Sequence, residues 1–444
     1  MAVDMAKAQA LAVGSAAVTG GTSVRWNGAA IVGTVLLLAT AYVGPLATPA
    51  PAGASPGLPR AQGQVDPPGT FTNPLRGERY NPIFDTITVD DYYHGDPRVV
   101  RDGARYVGSG SGCKVMVSDD MVDWRYAATR LDAAGRPVPV DVCGSEPGLH
   151  PPAMELHPTV GQNVNFWGTE VLKVGDRWVL VTSGARHWPD RGTDYTRGAI
   201  FVGTAAQPQG PYTWAADATV MTPDATLIDP TIFTDPVTGA HWLLWAQRPD
   251  YPTRSDHKFI VTQRLDPADV TRVAPGSSSV TLLGTDVDPQ PRERSRAAGA
   301  RSVEGPGMVY ADGGYFLHYA AGNCEYDYVA LGGAAYTFNV ARADRFPVAH
   351  TAAGAFAKPD EPLISGGNGW RLPGHGAVYQ DGAGDYWVVN SPIRDGEPYC
   401  ESGSVWCMTM RTVAAQRLSY SPALRAFVAD NPLVDPGPID MPAG

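Results

Sequence analysis

Residues 96–112, "DPRVVRDGARYVGSGSG", open on Asp96-Pro97, run through the apolar pair Val99-Val100, turn at Asp102-Gly103 and resume with Tyr106-Val107. Proline presets the entering backbone, Asp-Gly is a tight-turn pair, and apolar residues flank it on both sides, so the stretch reads as a β-hairpin. Four more stretches share the plan: "GTEVLKVGDRWVLVTSG" from Gly168, "DPTIFTDPVTGAHWLLWA" from Asp229, "EGPGMVYADGGYFLHYAAG" from Glu304 and "HGAVYQDGAGDYWVVNSP" from His375. Their starts at 96, 168, 229, 304 and 375 lie 72, 61, 75 and 71 residues apart. A hairpin-led unit therefore recurs five times, and a repeat of this kind must be read before any fold is assigned.

Further strand-like runs such as "YTRGAIFVGTAA" and "KFIVTQRL" follow the hairpins, which completes four strands per unit. Five such units predict an all-β, five-bladed β-propeller. The 50 Gly, 40 Pro, 11 Trp and 19 Tyr among 444 residues agree with many short strands and turns. A β-sandwich would also show hairpins, but not five similar units at one spacing. Because the first strand of each propeller blade lines the central channel, the leading residues of the repeats should converge on one axis. Tyr106, Trp178, Trp242 and Tyr315 recur on the second strand and read as blade core.

Ahead of the repeats, Arg25 precedes an uncharged, mostly apolar run from Gly28 to Gly44, followed by "PLATPAPAGAS". Residues 1–44 therefore read as an export signal or a membrane anchor; a stretch of 17 residues is at the short limit for spanning, which favours cleavage. Residues 45–70 are rich in Pro, Ala and Gly and read as a linker, leaving 71–444 for the propeller. Secretion is the expected localisation, with no membrane contact beyond the N-terminal segment. The net charge of −11 and the lack of a dense Lys/Arg run exclude a nucleic-acid partner. An exported chain permits disulfides. Cys113–Cys143 and Cys400–Cys407 would close short loops, leaving Cys324 over; no pair has zinc-site or redox spacing.

Three of the leading positions, Asp96, Asp229 and Glu304, are carboxylic acids inside segments otherwise suited to burial, such as "LIDPTIF" and "SVEGPGMVY". Buried, mutually repelling carboxylates are costly to a core but useful to a site. Glycoside hydrolysis uses such a set, one acid protonating the leaving oxygen and one carboxylate activating water or attacking the sugar.

The series "HGDPRVVRDG", "SDDMVDW", "LIDPTIFTD", "SVEGPGMVY" and "GHGAVYQDGAGDYWVV" resembles glycoside hydrolase family 43, five-bladed propeller enzymes acting on arabinose- and xylose-containing polysaccharides. The resemblance implies Asp96 as general base, Glu304 as general acid and Asp229 as the residue that tunes and orients the acid. It implies inversion by single displacement, with base and acid about 6.5–9.5 Å apart. His375 matches a channel histidine that in some members lies near a central water or calcium; no cofactor is otherwise required, and no Gly-rich phosphate loop is present. Where the family usually carries "WAP", this chain has "FWGTEV": Trp167 keeps an aromatic for sugar stacking, and Glu170 adds an acid that faces either the channel or solvent. The expected partner is a polysaccharide or oligosaccharide and the expected state a monomer. A non-catalytic carbohydrate-binding propeller and a retaining fructoside-active relative are the competing functions. The three acids argue against the first. Against the second, "HGDP", "LIDP" and "VEGP" replace the Asn-Asp-Pro, Arg-Asp-Pro and Glu-Cys motifs of that relative.

Overall fold

A computed structural model describes residues 70–81, 86–91, 95–110, 113–143, 168–188, 192–222, 224–249, 257–294, 301–324, 334–395, 411–432 and 439–442. The N-terminal segment 1–44, the linker up to residue 69, Trp167 and the Cys400–Cys407 pair lie outside the described residues.

Strands dominate, and a single 3-10 turn at Pro291–Glu293 is the helical element among the described residues. They assemble into the five expected blades, each an antiparallel meander. Blade I orders Arg98–Asp102, Arg105–Ser109, Met116–Ser118 and Asp123–Tyr126, and Arg76–Asn81 and Thr86–Asp91 extend it outward. Blade II is built on Glu170–Val174, Arg177–Trp188 and Gly192–Ala205, and blade III on Ala225–Thr234, His241–Pro249 and Phe259–Asp266. Blade IV has the three strands Val303–Ala311, Gly314–Ala321 and Thr337–Ala343, with isolated bridges from Phe338 to Ile364 and from Arg342 to Ala357 beside them. Blade V orders Gly376–Gln380, Tyr386–Asn390, Ala414–Ser421 and Ala426–Ala429.

The core explains why these sheets form a ring. Each blade alternates apolar residues onto both faces, and each face must be covered by a neighbour. Five buried apolar clusters fill the five junctions. Val107 and Cys143 meet Trp178 and Phe201 between blades I and II; Val179 and Ile200 meet Leu243 and Trp245 between II and III. Leu244 meets Leu317 and Tyr319 between III and IV, Phe316 and Phe338 meet Val388 and Leu418 between IV and V, and Tyr106 and Trp124 meet Tyr379 and Trp387 between V and I. Closure at this last junction is reinforced by residues 73–76, which precede the inner strand of blade I. Asn73 donates to the Ala415 carbonyl and accepts from the Ala415 amide, both at 2.9 Å, while the Arg76 amide donates to Val122 O. The strands flanking the ring also pair, Phe71 opposite Ile439.

Of the four second-strand aromatics, Tyr106, Trp178 and Tyr315 are buried in these junctions and Trp242 packs half-buried against the III–IV cluster. Cys113 and Cys143 form a disulfide, and Cys324 packs against Ala320, Tyr336, Leu372 and Ile393.

Candidate active site

At the axis the five blades carry one shared backbone feature. Asp96 (φ 57°), Gly168 (59°), Asp229 (55°), Gly305 (58°) and His375 (48°) are all left-handed, one per blade. Among non-glycine residues, Asp, Asn and His tolerate this region best, and holding one there still costs on the order of 1 kcal/mol. The two glycines make room for their neighbours. A Cβ at Gly168 would collide with Asp229, and one at Gly305 would lie 2.9 Å from the His375 ring.

The common frame corrects one detail of the repeat. Its fourth position is Gly305, so Glu304 stands one residue ahead of the ring. The prolines show the offset, because each follows the ring position and so aligns Gly305, not Glu304, with Asp229. Pro230 and Pro306 have no N–H for the ladder, and the register breaks between Ile228 and Thr231 and between Glu304 and Gly307. These bulges re-aim the residues they contain.

The expected catalytic residues are thereby brought together. Asp96, Asp229 and His375 are 3%, 4% and 2% exposed, which makes them part of the interior and not turn caps at a surface. His375 Nδ1 lies 2.9 Å from Asp96 Oδ1 and 3.8 Å from Asp229 Oδ2. Asp229 Oδ2 accepts the Gly305 amide at 3.0 Å, a direct tether to the backbone that carries Glu304. Burial pushes the Asp229 carboxyl up, with the Glu304 and Asp96 carboxylates adding to the shift and His375 and Lys258 opposing it.

Four residues at this site were not legible as such in the sequence. Arg411, 3% exposed, donates through Nη1 to Asp96 Oδ1 at 3.0 Å, and through Nη2 and Nε to the carbonyls of Gly374 and Ser391. Lys258 Nζ lies 2.5 Å from Glu304 Oε2, and the Tyr336 hydroxyl donates to Glu304 Oε1 at 2.7 Å. Burial alone would raise the Glu304 carboxyl, but the Lys258 charge and hydrogen bond, with Tyr336 and His375, outweigh it and hold Glu304 low. Arg98 donates to Gly376 O at 3.0 Å and Pro306 O at 2.8 Å, joining blade I to the strands behind His375 and Glu304.

Arg98 belongs to a second layer two residues down each inner strand, formed by Arg98, Glu170, Thr231, Gly307 and Ala377. His318, paired across from Gly307, fills the space that a side chain there would need. Glu170 therefore faces the interior, which resolves the alternative left open by its sequence position. Burial raises its carboxyl, and Arg98, Thr231 and His375 draw it back. His318 is held well below the ordinary histidine value by burial and by the charges of Arg98 and His375, so it is neutral. Calcium takes six to eight oxygen ligands. At the axis Asp96, Asp229 and His375 each bring one possible ligand atom, all within 4.8 Å of one another, and among the described residues Glu170 Oε2 and His375 Nε2 are buried without a hydrogen-bond partner, so oxygen and nitrogen donors that an ion could use are present there.

A five-bladed ring with three acids gathered at its axis, one tethered to the next and one braced by cations, has the equipment for hydrolysis of glycosidic bonds. The family "Glycosyl hydrolases family 43" matches residues 148–422. The chain belongs to this family. No curated protein matches it. Among solved structures it is similar to a thermostable family-43 glycoside hydrolase, at 18% identity and TM-score 0.56 over 84% of this chain and 99% of that one. It also resembles an endo-1,4-beta-xylanase from Bacteroides thetaiotaomicron, at 17% identity and TM-score 0.52 over 78% and 97% of the two chains. A Cellvibrio cellulosa alpha-L-arabinanase complexed with arabinohexaose matches at 18% and 0.52 over 77% and 96%.

Proposed function

We propose that the protein is a secreted glycosidase that cleaves O-glycosidic bonds of arabinose- or xylose-containing plant polysaccharides with inversion at the anomeric carbon. The observation that carries this reading is the convergence of Asp96, Asp229 and Glu304 from blades I, III and IV around His375. The Cys113–Cys143 disulfide supports an oxidising, extracellular setting.

In this reading Asp96 is the base. Arg411 and His375 both address its Oδ1, which holds it as the carboxylate that takes a proton from the attacking water. Glu304 gives its proton to the glycosidic oxygen as the bond to the anomeric carbon breaks. Asp229 acts through Gly305, fixing the backbone from which Glu304 projects. Trp167 is assigned the sugar platform and His375 a substrate-facing place beside the base. No step needs a cofactor.

Release of reducing sugar from arabinan and arabinoxylan, with aryl arabinofuranosides and aryl xylosides alongside, tests the reading. Glu304→Ala should lower kcat about 10²–10⁴-fold on the polysaccharides, the usual contribution of a positioned acid. Equal activity of variant and wild type would remove Glu304 from its role, and proton NMR of the first-formed anomer would separate inversion from retention.

A further inference from the structure

Glu304 is held in a way that conflicts with its proposed task. An acid must carry a proton when the substrate arrives, yet both of its carboxyl oxygens are engaged, Oε2 by Lys258 at 2.5 Å and Oε1 by Tyr336 at 2.7 Å. We propose that Lys258 is a positioning residue of the reaction: its ammonium fixes the Glu304 carboxyl group at the axis and sets the upper pH at which that group still delivers a proton. The inference rests on the reading of Glu304 as the acid.

The chemistry of the ammonium group makes the competition unavoidable. It has three donors and no lone pair, so it cannot accept a proton from Oε2, and its charge at 2.5 Å opposes loading that oxygen with one. Presenting that proton to a sugar oxygen requires Nζ to make room. The glycosidic oxygen then stands where Nζ stood, accepts the proton from Oε2, and keeps the electron pair of the bond it loses to the anomeric carbon. Water supplies the new bond at that carbon and passes its proton to Asp96. When the product leaves, the Glu304 carboxylate regains Lys258.

The site is built to place this lysine. Lys258 immediately precedes the third strand of blade III, and Thr285, fully buried, clasps its backbone: the Lys258 amide donates to Thr285 Oγ1 and the Thr285 amide donates to Lys258 O, each at 3.2 Å. The side chains of Lys258 and Glu304 are 16% and 14% exposed, so solvent screens the pair only in part. The other charged or titratable groups acting on Glu304 are Tyr336 ahead of the third strand of blade IV, His375 from blade V, Asp229 from blade III and Arg411 from blade V. Of these, Lys258 exerts the largest lowering influence, and burial, which pushes Glu304 the other way, remains when the lysine is removed.

The test is the pH profile of kcat/KM for wild type, Lys258→Met and Lys258→Arg on an aryl glycoside that the wild type hydrolyses. The alkaline limb reports deprotonation of the acid in the free enzyme. Losing an opposite charge in contact should move that limb up by about 1 unit or more in Lys258→Met, whereas Lys258→Arg should keep it within a few tenths of wild type. Glu304→Gln should abolish the limb in every background. An unmoved limb in a Lys258→Met protein that melts as wild type does would overturn the role of Lys258 alone. A Glu304→Gln protein as active as wild type would overturn the acid assignment and this inference with it.

Discussion

Two lysine–glutamate pairs of this molecule invite comparison. Lys358 and Glu293 pair at 2.8 Å with side chains 4% and 0% exposed, under the loop that follows blade III. Lys258 and Glu304 pair at 2.5 Å at the axis. Lys358 is saturated: its three donors go to the carbonyls of Gly284, Val287 and Asp288, at 2.8, 3.0 and 3.0 Å, and Glu293 Oε1 stands beside them as the opposite charge. Lys258 has Glu304 as its one ammonium partner among the described residues. A cation with every donor engaged serves the fold, because moving it breaks several bonds at once. One held by a single carboxylate can yield that carboxylate to a substrate.

Breaking the saturated pair gives the largest effect. Lys358→Met should cost about 3–5 kcal/mol, the usual penalty for stranding a buried charge, and leave the pH profile of kcat/KM unchanged. The sign of its pH dependence follows from Glu293, whose carboxyl burial already raises against the pull of Lys358. A raised acid binds its proton more tightly when folded, so it weakens the fold as pH climbs above the ordinary glutamate value. The deficit of the variant should therefore be greater at pH 8 than at pH 5 in thermal melts. A deficit that did not depend on pH would place the effect in packing instead.

Asp229 sharpens the contrast from the side of the site. Its carboxyl is raised chiefly by burial, then by neighbouring carboxylates, so above that raised value its charge opposes folding. Asn keeps an oxygen for the Gly305 amide and removes the charge. Asp229→Asn should lower kcat by about 10²-fold while the melting temperature at pH 7–8 stays level or rises. A variant both inactive and less stable at that pH would instead assign Asp229 to the fold.

How much of this was legible in the sequence follows from what each residue repeats. The five blades were readable because hairpin chemistry recurs with period near 70, and Asp96, Asp229 and His375 because they occupy one equivalent position. Glu304 was recognisable through its Glu-Gly-Pro motif but was set one residue out of frame, since the shared proline that aligns Gly305 with Asp229 was not used to fix the repeat. Lys258, Tyr336 and Arg411 escaped for another reason. They meet the acids through tertiary proximity, from positions with no counterpart in the other repeats. Arg98 alone left a trace: it shares strand parity with Asp96, which places a charge on the channel face. Glu170 has the same parity with Gly168, and Arg98 and Glu170 prove to share the second layer.

Arg76 and Asp123 complete the series at its weak end. They meet at 2.5 Å, as close as Lys258 and Glu304, but their side chains are 45% and 49% exposed. Water already solvates both charges and salt screens their attraction, so contact distance alone says little about energy. Arg76→Ala should change stability by about 0.2–1 kcal/mol in low salt, and the difference should shrink toward zero at about 1 M salt, where the screening length falls to roughly 3 Å. The backbone bond from the Arg76 amide to Val122 O survives the substitution, so ring closure between blades V and I is not what the variant probes. A loss well above 1 kcal/mol, or one indifferent to salt, would mean that the Arg76 side chain contributes by covering the blade edge, and exposure would then no longer rank the three pairs.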